Sequence, residues 1–549
     1  MGGRERALLE AYGEEIEGAA HGRQYDRSSC RRQRGELPRR RVRSVWQPGR
    51  VRVGVYPGSF DPLTRGHLAV ADAARRRLGL DRVDLVVSRD PLGKDRTRPP
   101  DLAHRLAVLR AEAARHPGLG VRLTDRRLIA DIAEGAAAVV VGADKLAQIV
   151  DPAWYGSTGE RDRALARLPT VAVAPRRGVT VTGPTPPAGV VELDTSTLDA
   201  PGLAVAEVSS TAARAGAHHL MSPLARVLDE ATGAWSDPGR HRSWARDPVL
   251  PATLLPPVDR IRLAVDGVEL AVEVMGDDLL DDRGGAALPT LVLVHGFAND
   301  RTSWLPLVPR LAARARLVLV DLRGHGRSGR SPGRYRARDH VDDLVAVLDE
   351  LVPSTAVLVG HSLAGLLVPA VARRRPRRVA HLVLVDPACF FASLAGARRA
   401  TYLADFDRLE SAQRRWRAQG ADPAAVADEI ATWPTPQGDT LGARRPRAQL
   451  VATAAARLRH DPASYAEVRD GTGLPDLDRF DRDRPLPVPA TVLAADAGLD
   501  TAFPPEHEDR LRRLLPAVVV RRLAGAGHMV HHDRPGEVAA VLTGLLDPL

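Results

Sequence analysis

The chain has 549 residues, 44% apolar and 27% charged, with a net charge of +10 at pH 7. These values suit a folded chain with more than one core, and they exclude a collagen, a disulfide mini-protein or a chain disordered throughout. The charge is local: residues 22–50 hold ten arginines and two acids, and the tract RRQRGELPRRRVR within them lacks interleaved aromatics, so no specific nucleic-acid partner is expected. The two cysteines, Cys30 and Cys389, are far apart, and no apolar run approaches about 18 residues. No secretory signal is legible either, so a cytoplasmic location with no membrane span is expected.

In chain order, residues 1–50 read as a basic, disordered leader. Residues 51–235 alternate short β-branched strands (VRVGVYP, DRVDLVVS, AAAVVVGAD, TVAVAP) with helical stretches, which predicts a parallel α/β sheet. Residues 236–258 hold five prolines and read as a linker. A second alternating series fills 259–549. It opens with the hairpin IRLAVDGVELAVEV, whose Asp-Gly supplies the turn. TLVLVHG, RLVLVDLRGHG, TAVLVGHSLAG and HLVLVDPA then read as buried strands, and ATVLAAD and AVVVRRLAGAGH resume the sheet later. Between them, residues 389–484 are Arg- and Ala-rich and read as a helical lid. Its aromatics Phe390, Phe391, Tyr402, Phe406, Trp416 and Trp433 either line an acyl pocket or pack the lid's own core. Lys94 and Lys145 are the only lysines among 78 basic residues, so arginine richness carries little functional information.

The first motif is Gly58-Ser59-Phe60-Asp61-Pro62-Leu63-Thr64-Arg65-Gly66-His67, between the first strand and the first helix. Glycine lets backbone N–H groups approach a phosphate, and the helix N-terminus adds partial positive charge. Thr64 and His67 add donors able to stabilise charge on a transferred nucleotidyl group. This segment resembles the GSFDPxTxGH signature of the nucleotidylyltransferase superfamily, and Val208-Ser209-Ser210-Thr211-Ala212-Ala213-Arg214 resembles its ISSTxxR motif. The resemblance implies nucleotide binding by Gly58, Ser59, Phe60, Thr64, Gly66, His67, Ser209, Ser210, Thr211 and Arg214, with Lys94 a further phosphate contact. It implies ATP as a substrate, with Mg2+ carried on its triphosphate and no protein metal ligands. Val141-Gly142-Ala143-Asp144, followed by Trp154, resembles the GxD…W stretch of nicotinamide or nicotinate mononucleotide adenylyltransferases. That places the acceptor at Asp144 and Trp154, the indole stacking on a pyridine ring. Phosphopantetheine adenylyltransferases share the opening segment and form the alternative.

The second motif is Gly360-His361-Ser362-Leu363-Ala364-Gly365, between a strand and an apolar helix. GxSxG in that context is a nucleophile elbow, and it resembles the α/β-hydrolase family. By that resemblance Ser362 is the nucleophile and the N–H groups of Phe297 and Leu363 form the oxyanion hole. His528, in Gly525-Ala526-Gly527-His528, is preferred as base over His531 and His532. For the acid, Asp500, four residues before Pro504, is favoured over Asp496, and Asp386 is read as a structural loop carboxylate. Asp321–Ser328 resembles the family's DxRGxGxS loop, a structural turn.

The expected architecture is thus α/β throughout: a Rossmann-like nucleotidylyltransferase domain followed by an α/β-hydrolase domain with a helical lid. The expected partners are small molecules, and oligomeric state is not legible. Two alternatives to a bifunctional enzyme remain, namely a hydrolase with a nucleotide-sensing module, or a transferase on a hydrolase-like scaffold.

Overall fold

Short β-branched runs set the strands of the first sheet: β1 Val53–Pro57, β2 Arg82–Ser88, β3 Leu119–Thr124, β4 Ala138–Gly142, β5 Thr170–Ala174 and β6 Val190–Glu192. Then come β7 Val258–Val265, β8 Val268–Met275, β9 Leu279–Leu280, β10 Thr290–Val294, β11 Arg316–Val320 and β12 Ala356–His361. The last are β13 Val379–Val385, β14 Ala490–Ala494 and β15 Val519–Arg522. In this computed structural model the described residues are 51–91, 100–175, 184, 188–194, 208–282, 287–390, 396–435, 437–470 and 485–546. The basic leader, Lys94 and Phe391 lie outside them.

Two compact units divide the chain. One runs to Pro256 and includes Asp277–Ala287, and the other holds Pro257–Gly276 and Leu288–Leu549. The first unit's sheet has the order β6-β5-β4-β1-β2-β3-β9. Every pair is parallel. From β1 the chain adds β2 and β3 on one side, then crosses to β4 on the other. That reversal opens a crevice beyond the carboxyl ends of β1 and β4, where α/β sheets bind ligands. The helix Ala143–Val150 covers the sheet with Leu146 and Ile149, packed on Val139, Val141, Val171 and Val173.

Three features differ from the sequence reading. β3 and β6 are absent from that reading, β3 because Gly120 and Arg122 interrupt its apolar run and β6 because three residues carry no periodic signal. Residues 277–287, expected in the second domain, supply β9, which pairs with β3 (Val121 opposite Leu279). Residues 236–258 are not a free linker. Asp237 caps the helix Pro238–Trp244, and His241, Leu250 and Leu254 are buried. Pro238 stands at the helix start, where a missing N–H does no harm, so proline here marks a boundary rather than a spacer.

The second unit's sheet has the order β15-β14-β13-β12-β10-β11-β8-β7. β8 runs antiparallel to both β7 and β11, and the rest are parallel. The hairpin turn has φ +46° at Asp266 and +80° at Gly267, the geometry an Asp-Gly pair favours. Leu293, Leu317, Val359, Val383 and Leu493 are fully buried. Covered on both faces, the central strands read as continuous apolar runs, each such side chain contributing about 1.5–3 kcal/mol. Here strand order reverses between β10 and β12, which places the second crevice beside Ser362.

Candidate active sites

In the first unit the loop after β1 turns sharply at Phe60, whose φ is +44°. Thr64 caps the helix Arg65–Leu78, and its hydroxyl accepts from the His67 N–H. In return His67 Nδ1 accepts from the Thr64 N–H at 3.0 Å, which puts the neutral ring's proton on Nε2. The structure brings the two sequence motifs together. A Cβ on Gly66 would lie 2.9 Å from Val208, so only glycine lets the second motif pack on this helix start. Ser209 caps the short helix Ser210–Arg214 through the Ala212 N–H, and Ser210 Oγ donates to the Pro62 carbonyl at 2.8 Å. Arg214 donates to Asp61 at 2.7 Å, and Trp235 Nε1 donates to the other Asp61 oxygen at 2.7 Å. Arg214 therefore has a structural partner in Asp61.

A cleft of about 780 Å³ adjoins this loop, lined by Gly58, Ser59, Lys145 and Trp154 among others. Trp154 is 40% exposed, as a stacking platform requires. Asp144 is exposed at the start of the helix that follows β4. Lys145, on the same helix, lines the cleft. Burial lowers its pKa against the opposing pull of Asp144. Arg105, absent from the sequence reading, reaches the same loop after β1. It donates to the Ser59 carbonyl at 2.7 Å, and its Nε is enclosed without a partner among the described residues. Burial pulls its pKa down, Asp61 and Asp101 oppose this, and Arg214 adds to it. Among the described residues no group of three or more His, Cys, Asp and Glu is placed to hold a metal ion.

In the second unit Ser362 has φ +53°, the strained turn of a nucleophile elbow, and the helix Ala364–Arg374 follows. Ser362 Oγ donates to His528 Nε2 at 3.1 Å, and His528 Nδ1 donates to Asp386 Oδ2 at 2.7 Å. The acid is thus Asp386, after β13, and this corrects the expectation of Asp500. β13 and β14 end side by side, so either strand can present a carboxylate to the imidazole. The loop after β14 folds onto Asp386. Its oxygens accept from the Ala495 N–H at 3.0 Å, the Thr501 hydroxyl at 2.8 Å and the Ala502 N–H at 2.7 Å. Asp386 is fully buried at φ +39°, a position held by these bonds. Asp500 is exposed at the cavity wall, and Asp496 instead accepts from the Gly498 and Gly525 N–H groups.

Burial works to lower the His528 pKa, but the hydrogen bond and charge of Asp386 outweigh it and hold the pKa above the ordinary value. The rival histidines have other partners. His532 donates to the Ser303 carbonyl at 2.8 Å, and His531 stacks on Trp304. A Cβ on Gly296 would lie 2.9 Å from Ser362 Cβ, so this glycine lets the His295–Phe297 loop run past the nucleophile. Phe297 and Leu363 both line the cavity at Ser362, which has a volume of about 330 Å³. Tyr402 and Phe406 line it too, whereas Trp416 and Trp433 stack within the lid's own core. The Asp321–Ser328 loop is structural. Asp321 accepts from the Arg301 and Arg327 N–H groups, and Arg323 makes a buried bidentate pair with Asp343 at 2.6 and 2.7 Å.

A serine on the turn after a central parallel strand, backed by imidazole and carboxylate, defines an α/β-hydrolase fold. The first unit has the layout of a nucleotide-binding α/β sheet. The family model described as the alpha/beta hydrolase fold matches residues 289–535, and the one described as cytidylyltransferase-like matches residues 55–215. The chain therefore carries a cytidylyltransferase-like domain and an alpha/beta hydrolase domain. It is 27% identical over 317 residues to mouse (Mus musculus) sn-1-specific diacylglycerol lipase ABHD11, covering 55% of this chain and 99% of that protein. It is 27% identical over 274 residues to 2-(acetamidomethylene)succinate hydrolase of Mesorhizobium japonicum, covering 50% of this chain and 93% of that protein. A 149-residue stretch is 35% identical to the dihydrolipoyllysine-residue acetyltransferase component of the acetoin cleaving system of Pseudomonas putida, covering 27% of this chain and 40% of that protein. Among solved structures, a hydrolase from Pseudomonas aeruginosa is similar at 24% identity and a TM-score of 0.40, covering 53% of this chain and 98% of that one. Among the described residues no helix is long and apolar enough to cross a membrane.

Proposed function

We propose that the chain is a bifunctional cytoplasmic enzyme: a serine hydrolase acting on an ester-like bond, and a nucleotidylyltransferase joining ATP to a pyridine mononucleotide. The observation that carries the first reading is the hydrogen-bonded line Ser362–His528–Asp386. His528 takes the Ser362 proton as Oγ attacks the acyl carbon, and Asp386 fixes the ring and stabilises the imidazolium. The N–H groups of Phe297 and Leu363 receive the oxyanion. His528 then protonates the leaving group, and water releases the acid by the same steps in reverse.

The second reading rests on the juxtaposition of the two motifs, through Ser210 on Pro62 and Arg214 on Asp61. His67 Nε2 and the helix N-terminus stabilise charge on the triphosphate while an acceptor phosphate oxygen attacks the α-phosphorus and pyrophosphate leaves. Trp154 in the adjoining cleft favours a flat aromatic acceptor. His67 and the exposed part of Arg214 suit a triphosphate, whereas Thr64 is buried and acts by holding His67, and magnesium would arrive on that triphosphate.

One experiment with two arms tests the proposal on the full chain. Pyrophosphate release is followed with ATP or CTP and nicotinate mononucleotide, nicotinamide mononucleotide or phosphopantetheine. Hydrolysis of p-nitrophenyl butyrate is followed separately. His67→Ala is expected to lower pyrophosphate release by about 10²-fold or more. Ser362→Ala is expected to lower ester turnover by about 10³-fold or more. Release that persists in His67→Ala overturns the transferase assignment, and turnover that persists in Ser362→Ala overturns the hydrolase assignment. A preference for CTP or phosphopantetheine redirects the choice of substrates.

A further inference from the structure

The cavity at Ser362 is largely apolar, with Leu366, Phe406, Ile430 and Leu450 in its walls, yet Arg445 and Arg457 line it as well. Two other arginines buried in this unit are ion-paired, Arg301 with Asp321 and Glu273, and Arg323 with Asp343. Arg445 and Arg457 differ. Among the described residues neither has a carboxylate at ion-pair distance, and Arg457 Nη1 is enclosed with no hydrogen-bond partner. Arg457 rests on the Trp433 ring, its Cζ 5.0 Å from the centroid. Asp405, the other acid of the wall, is bonded to Arg408 at 2.8 Å.

Arg445 lies within electrostatic reach of Asp533, Asp500, His528 and Arg457. Burial pulls the Arg457 pKa down to about 10, so it still carries its charge at neutral pH. Two cations in an apolar wall are costly unless an anion joins them. Asp533 and the exposed Asp500 at the wall oppose the charge of Arg445, which leaves Arg457 as the cation with no opposing carboxylate among the described residues. A planar guanidinium fork accepts both oxygens of a carboxylate.

We propose that Arg445 and Arg457 form a carboxylate-binding subsite, and that the hydrolase acts on an ester-like substrate bearing a free carboxylate in the part enclosed beneath the lid. A single negative charge fits better than a phosphate dianion, whose second charge would meet no third cation. The inference rests on the hydrolase reading and deepens it.

The test compares matched esters on the full chain. Mono-p-nitrophenyl adipate against p-nitrophenyl hexanoate places the acid on the acyl side, and 4-acetoxybenzoate against phenyl acetate places it on the leaving side. In the wild type, one acid ester is expected to exceed its neutral partner in kcat/KM by on the order of ten- to a hundredfold. Arg457→Met and Arg445→Met are each expected to bring that ratio close to one, mainly through KM, and Arg457→Lys to restore part of it. A wild-type ratio at or below one for both pairs overturns the subsite while leaving the hydrolase reading intact. A preference that survives both Met variants overturns it likewise, as does a stronger preference for a phosphomonoester analogue. Hydrolysis of no ester at all overturns the subsite and the hydrolase reading together. The wild-type ratios stand even where a variant does not fold.

Discussion

Asp386→Asn is expected to lower kcat for ester hydrolysis by about 10⁴-fold, while Asp500→Asn changes it by less than about tenfold. The asparagine keeps the shape of the loop but loses the charge that holds His528 as a donor at Nδ1. Its amide can also invert the tautomer, which leaves Nε2 protonated and unable to accept from Ser362. Asp500 is exposed and screened, and its influence on His528 is smaller than that of Asp386. The pH profile supplies a second readout. In the wild type His528 must be neutral to act as base, and its pKa lies above the ordinary histidine value. Activity therefore falls as pH drops through that raised pKa. In Asp386→Asn the residual activity should show its acid limb at lower pH, because burial then acts without its main opponent. A comparable loss in Asp500→Asn, with little in Asp386→Asn, would return the acid role to the residue favoured from sequence.

The second large effect is acid instability of the hydrolase domain. Burial pulls the pKa of His340, His460 and His532 down to about 3. All three are at most 7% exposed. In the unfolded chain histidine titrates near 6.5. Between those values the unfolded state holds protons that the folded state does not. Stability is therefore full above about pH 6.5 and is lost as pH falls, by about 1.4 kcal/mol per pH unit for each histidine. At pH 5 each group has lost about 2 kcal/mol, or about 6 kcal/mol for the three, against a typical total of about 5–15 kcal/mol. The raised pKa of His528 acts in the opposite sense and offsets a small part. Urea denaturation at pH 7.5 and pH 5.0 should show a large drop in midpoint for this domain. His532→Gln and His460→Gln should each flatten the pH dependence. Equal midpoints at the two pH values would contradict the assignment of these histidines as buried and neutral.

What was legible in the sequence follows from how local each signal is. The Ser362 elbow is written in six consecutive residues, and the strand-end Gly527-His528 pair is equally local. The GSFDP segment and the Ser209–Arg214 turn are local too, each leading into a helix, and their apposition is seen in the fold. The acid was different. Asp386 and Asp500 follow neighbouring strands, and the choice depends on where the 495–502 loop folds, which spacing does not encode. Arg105, Arg445 and Arg457 were hidden for another reason. In a chain where nearly every basic residue is arginine, no single one stands out until burial and missing partners are seen. The segment 277–287 was misplaced because a two-residue strand carries no periodic signal.

The most direct test of the hydrolase assignment is mass spectrometry of the full chain after treatment with a fluorophosphonate. The account predicts one covalent adduct, mapped to Ser362, absent in Ser362→Ala and formed far more slowly in His528→Ala. Folded protein that takes no label, or takes it on a residue other than Ser362, would contradict it.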